Sequence, residues 1–266
     1  MESPLIAQWI GPMAANLTHT MRSFADAEPG SRVELIPHAT LVDVGQHLAA
    51  FNSVILQERV LEEAQLDQSI TTAKEHYGRG GAWSYWVGEG FFDPSLRRQV
   101  SNIFGRHRLR RASSAPGMVA DRLASPQRLL PALEVRRVAD ETTRRSFCHL
   151  MSVGFEGAAH QLSAMYSRPH FWNGSFRGFV GRAEGRDVTA GATVVAGGVL
   201  GIYAVATLPD AMRRGYAEAL MRQAVDEVFA DYGPMPIVLQ SSLMALSLYR
   251  RLGFESVTTF SLYCTG

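Results

Sequence analysis

From Val199 to Val228 the chain reads VLGIYAVATLPDAMRRGYAEALMRQAVDEV, and no other stretch constrains the fold as tightly. The apolar run up to Thr207 predicts a strand, Pro209 a turn, and Arg213, Arg214 and Gly215 a basic loop opening a helix over 214–232. In that helix Ala217, Leu220, Met221, Ala224, Val228 and Phe229 fall on or near one stripe, with Arg222, Asp226 and Glu227 mostly off it. A helix N-terminus carries unpaired N–H groups and the positive end of the dipole, which favours anions and disfavours cations. Two arginines gathered there suit an anion bound from outside. Gly215 and the small Ala217 let phosphate oxygens reach the backbone. By itself the pattern also fits a solvent-facing helix start that happens to carry arginines.

The surrounding half alternates in type. LEVRRV (133–138) predicts a short strand, and DETTRRSFCHLM a helix capped by Asp140 or Thr142. A second helix is expected over 157–167. SFRGFVGRA, DVTAGATVVAG and VLGIYAVAT predict three strands with tight connections. PIVLQ (236–240) predicts a buried strand. SSLMALSLYRRLGFE predicts a helix opened by Ser241 or Ser242 and stopped by Gly253 at C′, and SVTTFSLYC a last strand. Strands with helices between them imply a mixed α/β (α+β) layer structure.

Met212-Arg213-Arg214-Gly215-Tyr216-Ala217, following a strand and opening a helix, resembles the acyl-CoA-binding motif of the GNAT superfamily of N-acetyltransferases, Arg/Gln-x-x-Gly-x-Gly/Ala. VLQSSLMALSLYRRLGFE resembles that superfamily's closing signature, with Tyr249, Leu252, Gly253 and Phe254 in the Tyr-x-x-Leu-Gly-Phe positions. Two motifs at the right separation make a far more specific signal than either alone. The resemblance covers the chain from Leu133 to its end. It departs at Met212, where the motif has Arg or Gln.

The resemblance implies a GNAT-like mixed central sheet flanked by helices, with acetyl-CoA as co-substrate. The edge of GIYAVAT would receive the pantetheine arm at Val205, Ala206 and Thr207, much as a strand adds to a sheet. The loop Met212, Arg213, Arg214, Gly215, Tyr216 and Ala217 would hold the pyrophosphate. An amine would attack the thioester directly, without an acyl-enzyme, and Tyr249 would protonate the departing thiolate as general acid. A Tyr packed on the apolar face of its helix is the competing account of Tyr249. Ser242, beside Ser241, either faces the cofactor or caps the helix. Glu156, His160, His170 and Glu184 are titratable candidates for a base, and none is assigned.

The first half carries fewer signals. Leu61 to Tyr77 predicts a helix, AWSYWVG (82–88) a strand, and 94–104 a helix. AWSYWVGEG, the helix after it and APGMVADRL resemble the degenerate first repeat of two-domain GNAT proteins. The turn-rich stretch 106–125, followed by Pro126 and Pro131, suggests a division into a degenerate N-terminal domain, 1–130, and a catalytic domain, 131–266. RHRLRR (106–111) predicts a solvated edge strand. Trp83, Tyr85 and Trp86 either line an acceptor pocket or pack in the core, as do Phe171 and Trp172.

A net charge of +1 in 266 residues gives no electrostatic case for binding nucleic acid or a membrane surface. The acceptor expected is therefore a small-molecule amine, with homodimerisation open. The cysteines, Cys148 and Cys264, lack metal-ligand spacing, so no metal is expected. No leader or membrane-spanning run is evident, which points to the cytoplasm. Two other functions stay open. One is a non-catalytic acyl-CoA-binding or regulatory module, motivated by Met212. The other is a tandem-GNAT transferase using aminoacyl-tRNA, which the neutral charge opposes.

Overall fold

The computed structural model describes residues 4–45, 51–78, 81–155 and 159–265. In chain order the first elements are α1 (Pro4–Asp26), β1 (Arg32–Ile36), β2 (Ala39–Asp43), β3 (Ser53–Leu56), α2 (Glu63–Tyr77), β4 (Ser84–Gly88), α3 (Pro94–Arg97), α4 (Val100–Arg106) and β5 (Leu109–Ala120). There follow β6 (Glu134–Arg137), α5 (Glu141–Gly154), α6 (Ala159–Tyr166), β7 (Phe176–Ala183), β8 (Arg186–Ala196) and β9 (Val199–Thr207). The chain closes with α7 (Tyr216–Tyr232), β10 (Ile237–Gln240), α8 (Leu246–Arg251) and β11 (Glu255–Thr265). It divides into two compact units. One comprises Met1–Met118, Gln240–Leu243 and Ser256–Gly266, the other Val119–Leu239 and Met244–Glu255.

In the first unit the strand order is β1-β2-β3-β4-β11-β5. β1 to β3 form an antiparallel meander, β3 runs parallel to β4, and β11 pairs antiparallel with β4. Tyr85 is fully buried and its hydroxyl meets Ser69 Oγ at 2.6 Å. Trp83 is buried too, stacked on Tyr77, so both rings pack in the core. The helix expected over 94–104 is interrupted after α3, and α4 resumes at Val100. β5 runs straight through the expected turn at Pro116-Gly117. The reason is contact at Gly117: a Cβ there would lie 2.7 Å from Thr258 Cγ2 and 3.0 Å from Met13 Cε. The glycine thus serves close packing. Arg106 is paired with Glu63 and Asp67 at the end of α4, before the strand begins.

In the second unit the order is β10-β9-β8-β7-β6, antiparallel from β6 to β9 and parallel between β9 and β10. Alternation along β7 sends Phe176 and Gly178 to one face and Phe179 to the other. On the first face Phe176 meets Tyr166, Phe171 and Trp172, while Phe147 stacks edge-on against Tyr166 and Trp172. A Cβ on Gly178 would lie 2.3 Å from Trp172, so glycine makes room for the indole. Phe171 and Trp172 are therefore core residues of the α5–α6 side. On the other face Phe179 packs with Leu220 and Ala224 of α7. Helices thus cover both faces of a mixed sheet, the α/β class expected. Asp140 caps α5, its Oδ1 accepting from Thr143 N at 2.8 Å. Among the described residues no helix is long and apolar enough to cross a membrane.

Candidate functional site

β9 departs from a regular strand where the pantetheine arm is expected. Its register with β8 runs Ala192↔Tyr203 and then Ala190↔Ala206, so Gly191 alone opposes Ala204 and Val205. Ala204 adopts φ 52°, a left-handed conformation at a β-bulge. A Cβ on Gly191 would sit 2.9 Å from Leu220 Cδ2, so the bulge closes on α7 only with glycine there. The parallel pairing with β10 spans only Leu200↔Ile237 and Gly201↔Val238. Beyond Gly201 the two strands have no common register, and the β10-facing edge of Ile202–Thr207 has no ladder. Thr189 Oγ1 ties the far end, donating to the Ala206 carbonyl at 2.9 Å and meeting Thr207 Oγ1 at 2.9 Å. Val205, Ala206 and Thr207 are therefore held in place by β8 on one side. Over the Ala206 side chain, Gly154 at the end of α5 lies so close that an added Cβ would be 2.6 Å from Ala206 Cβ.

After β9 a 3-10 turn over Pro209–Ala211 leads into the loop. Ala211 and Tyr216 are buried together with Ala183 and Val188, so both ends of the loop are anchored in the core. The Tyr216 side chain is thereby committed to packing, and only its backbone amide is offered outward. Between the anchors Arg213 and Gly215 have positive φ, 62° and 96°. Gly215 caps α7 in the left-handed conformation and contributes no side-chain hydrogen bond; its carbonyl accepts from Ala219 N at 3.0 Å. The amides of Tyr216, Ala217 and Glu218 open the first turn of the helix, where no intrahelical acceptor exists. This is a cluster of donors at the positive end of a 17-residue helix.

The charges around it are sorted by pairing. Arg214 lies 3.7 Å from Glu184 and 5.1 Å over the Tyr216 ring. Asp210 hydrogen-bonds Arg186 at 2.6 Å, which holds its carboxyl below the usual range. Glu218, buried in the first turn of α7, accepts from Arg222 Nε at 3.1 Å and from its terminal nitrogen at 2.8 Å. That pairing cancels a carboxylate that would otherwise repel a phosphate. Glu218 and Arg222 were not among the expected site residues; their i,i+4 spacing is the signal that could have found them. Met212 is 44% exposed and offers no charge.

Tyr249 is buried, and burial pushes its phenol up to about 12. Its ring packs edge-on against Phe254, at 5.7 Å between centroids. Gly253 turns the chain after α8 with φ 93°, the C′ role expected. Neither Ser241 nor Ser242 caps this helix: α8 begins at Leu246, with Ala245 at the N-cap. Ser241 is buried, its amide donating to the Pro116 carbonyl at 2.9 Å and its Oγ to the Ser242 carbonyl at 2.7 Å. Ser242 is exposed in the turn after β10.

Burial raises the Cys148 and Cys264 thiols, the opposite of what an activated nucleophile requires. Among the base candidates, Glu156 and the His160 side chain lie outside the described residues. Glu184 is 84% exposed in the β7–β8 turn, and His170 is exposed in the 3-10 turn before β7. An open cavity of about 380 Å³ lies along α5 and α6, lined by Arg144, Cys148 and His149 among others. It shares no residue with the β9–α7 loop.

Residues 173–256 match the family of the acetyltransferase (GNAT) domain. No curated protein matches the chain. A GCN5-related N-acetyltransferase from Kribbella flavida is similar in structure, with TM-score 0.71 and 17% identity over 93% of both chains. One from Sphaerobacter thermophilus has TM-score 0.58 and 16% identity, over 99% of this chain and 94% of that one. A tandem GNAT protein from the clavulanic acid biosynthesis pathway has TM-score 0.54 and 12% identity, over 97% and 94%. The fold is GNAT-like, and the β9–α7 loop lies inside the matched residues 173–256.

Proposed function

We propose that the GNAT domain at residues 173–256 is an active acyl-CoA-dependent N-acyltransferase, moving an acetyl group from acetyl-CoA to a primary amine of a small molecule. One observation carries the reading: a bulged strand that parts from its parallel neighbour leads, through a 3-10 turn and a short loop, into a glycine-capped helix N-terminus. The open edge at Val205, Ala206 and Thr207 suits the pantetheine amides. The amides from Arg213 to Ala217 suit the pyrophosphate, with Met212 contributing backbone alone. The first unit takes the part of a degenerate repeat without a cofactor loop.

In the reaction the neutral amine nitrogen bonds to the thioester carbonyl carbon, and the C–S bond breaks with its electron pair on sulfur. The nitrogen's proton passes to solvent water, from which the thiolate is protonated once CoA is free, so that amide and CoA thiol are the products. Tyr249 serves as general acid towards the sulfur. Because burial holds the phenol near 12, it is fully protonated at neutral pH. Against a thiol of pKa ~8.5, complete transfer runs uphill by ~5 kcal/mol, so the hydrogen bond to the developing thiolate carries the stabilisation. No cysteine is needed as a nucleophile, in keeping with a buried Cys148 and a half-buried Cys264 whose thiols are both raised.

Calorimetric titration with acetyl-CoA and CoA, followed by a thiol-release assay over a panel of amines, tests the reading. Binding plus amine-dependent CoA release supports it. Binding without release from any amine supports a non-catalytic acyl-CoA module, the second reading, which the uncharged Met212 motivates. No binding of either ligand overturns both. A transferase using aminoacyl-tRNA would require charged tRNA for release of product.

A further inference from the structure

We infer that Arg128 is a pyrophosphate-binding residue of the β9–α7 loop, supplying from the preceding connector the cation that the loop's own first position lacks. The inference rests on the acyl-CoA reading above. The connector from Asp121 to Leu133 is fastened at both ends. Ala124 N donates to the Leu252 carbonyl at 2.8 Å, and a Cβ on Gly253 would come within 3.2 Å of Ala124 Cβ. At the other end Leu133 packs on the clusters that anchor α7, and Gln223 Nε2 donates to its carbonyl at 3.4 Å.

Between these anchors the connector passes over Gly215. A Cβ built there would meet Pro131 Cδ at 3.1 Å, an Arg128 terminal nitrogen at 3.2 Å and Arg128 Cζ at 3.6 Å. The guanidinium therefore rests on the left-handed glycine that caps α7. No carboxylate pairs with Arg128 among the described residues, whereas Arg214 is engaged with Glu184 and the Tyr216 ring. A cation at a helix N-terminus opposes the dipole, an arrangement that a bound anion relieves. A guanidinium also matches two phosphate oxygens with parallel N–H donors, which neither Met212 nor a lysine could do. The contact with Gly215, the helix cap itself, assigns Arg128 to the pyrophosphate in preference to the 3′-phosphate of CoA.

The test is calorimetric titration of the full chain, wild type, Arg128→Ala and Arg128→Lys, with CoA, dephospho-CoA and pantetheine at two salt concentrations. The expected result is a loss of ~10–100-fold for Arg128→Ala with CoA and dephospho-CoA alike, and a shallower salt dependence. Pantetheine binding should not change, and Arg128→Lys should recover part of the loss. Arg128 is exposed, so both variants should keep the wild-type melting temperature. Undiminished CoA binding by Arg128→Ala overturns the inference alone. So does a loss confined to CoA, which would place the residue on the 3′-phosphate, or an equal loss with pantetheine, which would make its role structural. Wild-type protein that binds no CoA overturns the functional reading and this inference with it.

Discussion

Gly215 is where a single methyl group tests the site most directly. At φ 96° an alanine is strained, and its Cβ would press on Pro131 and Arg128 at 3.1 and 3.2 Å. Gly215→Ala is expected to cost ~1–2 kcal/mol of stability. Acetyl-CoA binding should weaken at least tenfold, measured by calorimetry beside a urea titration. A stability loss with unaltered affinity would remove the loop from the cofactor site. Tyr249 asks a different question, since its hydroxyl can leave without disturbing the ring packing on Phe254. Tyr249→Phe should lower kcat by ~10²-fold or more while the Kd for acetyl-CoA stays within about twofold. Equal turnover would end the general-acid assignment. At this scale the sequence was informative where backbone conformation is tied to spacing, as at Gly215 and Gly253, both of which turn left-handed at helix ends. It misled where a residue's neighbours decide: Ser241 and Ser242 have the chemistry of helix caps, yet α8 starts further on.

The element that organises the site is α7. Its first turn offers amides to an anion and at the same time buries Glu218, a combination that works only because Arg222 pairs with that carboxylate. The two side chains are 7% and 15% exposed, so removing one partner strands a nearly buried charge. Arg222→Ala is expected to destabilise by ~3 kcal/mol; if the proposed cofactor site is right, it should also weaken CoA binding by leaving an unpaired carboxylate in the first turn of α7. The double change Arg222→Ala with Glu218→Gln should restore much of both, as a double-mutant cycle would reveal. If the single and double variants behave alike, Glu218 has no electrostatic part in the site. The helix itself and β7 to β10 were legible from periodicity. The bulge in β9 was not: GIYAVAT alternates as an ordinary strand would, and Ala204 turns left-handed because Gly191 opposite it lets α7 close in.

Across the whole molecule four tyrosines, the half-buried Tyr77 and the buried Tyr85, Tyr166 and Tyr249, share one consequence. Burial raises the phenols of Tyr77, Tyr85, Tyr166 and Tyr249 above the unfolded value of 10.0. The sign follows from linkage. Above pH 10 the unfolded chain releases phenol protons that the folded chain retains, so the contribution of these tyrosines is full below pH 10 and falls as pH rises from there towards the folded values. The two raised thiols add a loss that begins near pH 9, and the urea midpoint should drop further between pH 10 and 12, less steeply when Tyr85 is replaced by Phe. A midpoint independent of pH over that range would contradict the burial of these groups. The mixed α/β class, the order of elements in the second half and the glycine-capped loop before α7 were determined by the sequence itself, because each depends on periodicity and on residues adjacent in the chain. The tertiary structure alone decided that Ser256–Gly266 joins the first unit and that β5 continues through Pro116-Gly117. It alone brought Arg128 onto Gly215. These are contacts between residues far apart in sequence, and their existence depends on which surfaces meet once the elements have formed.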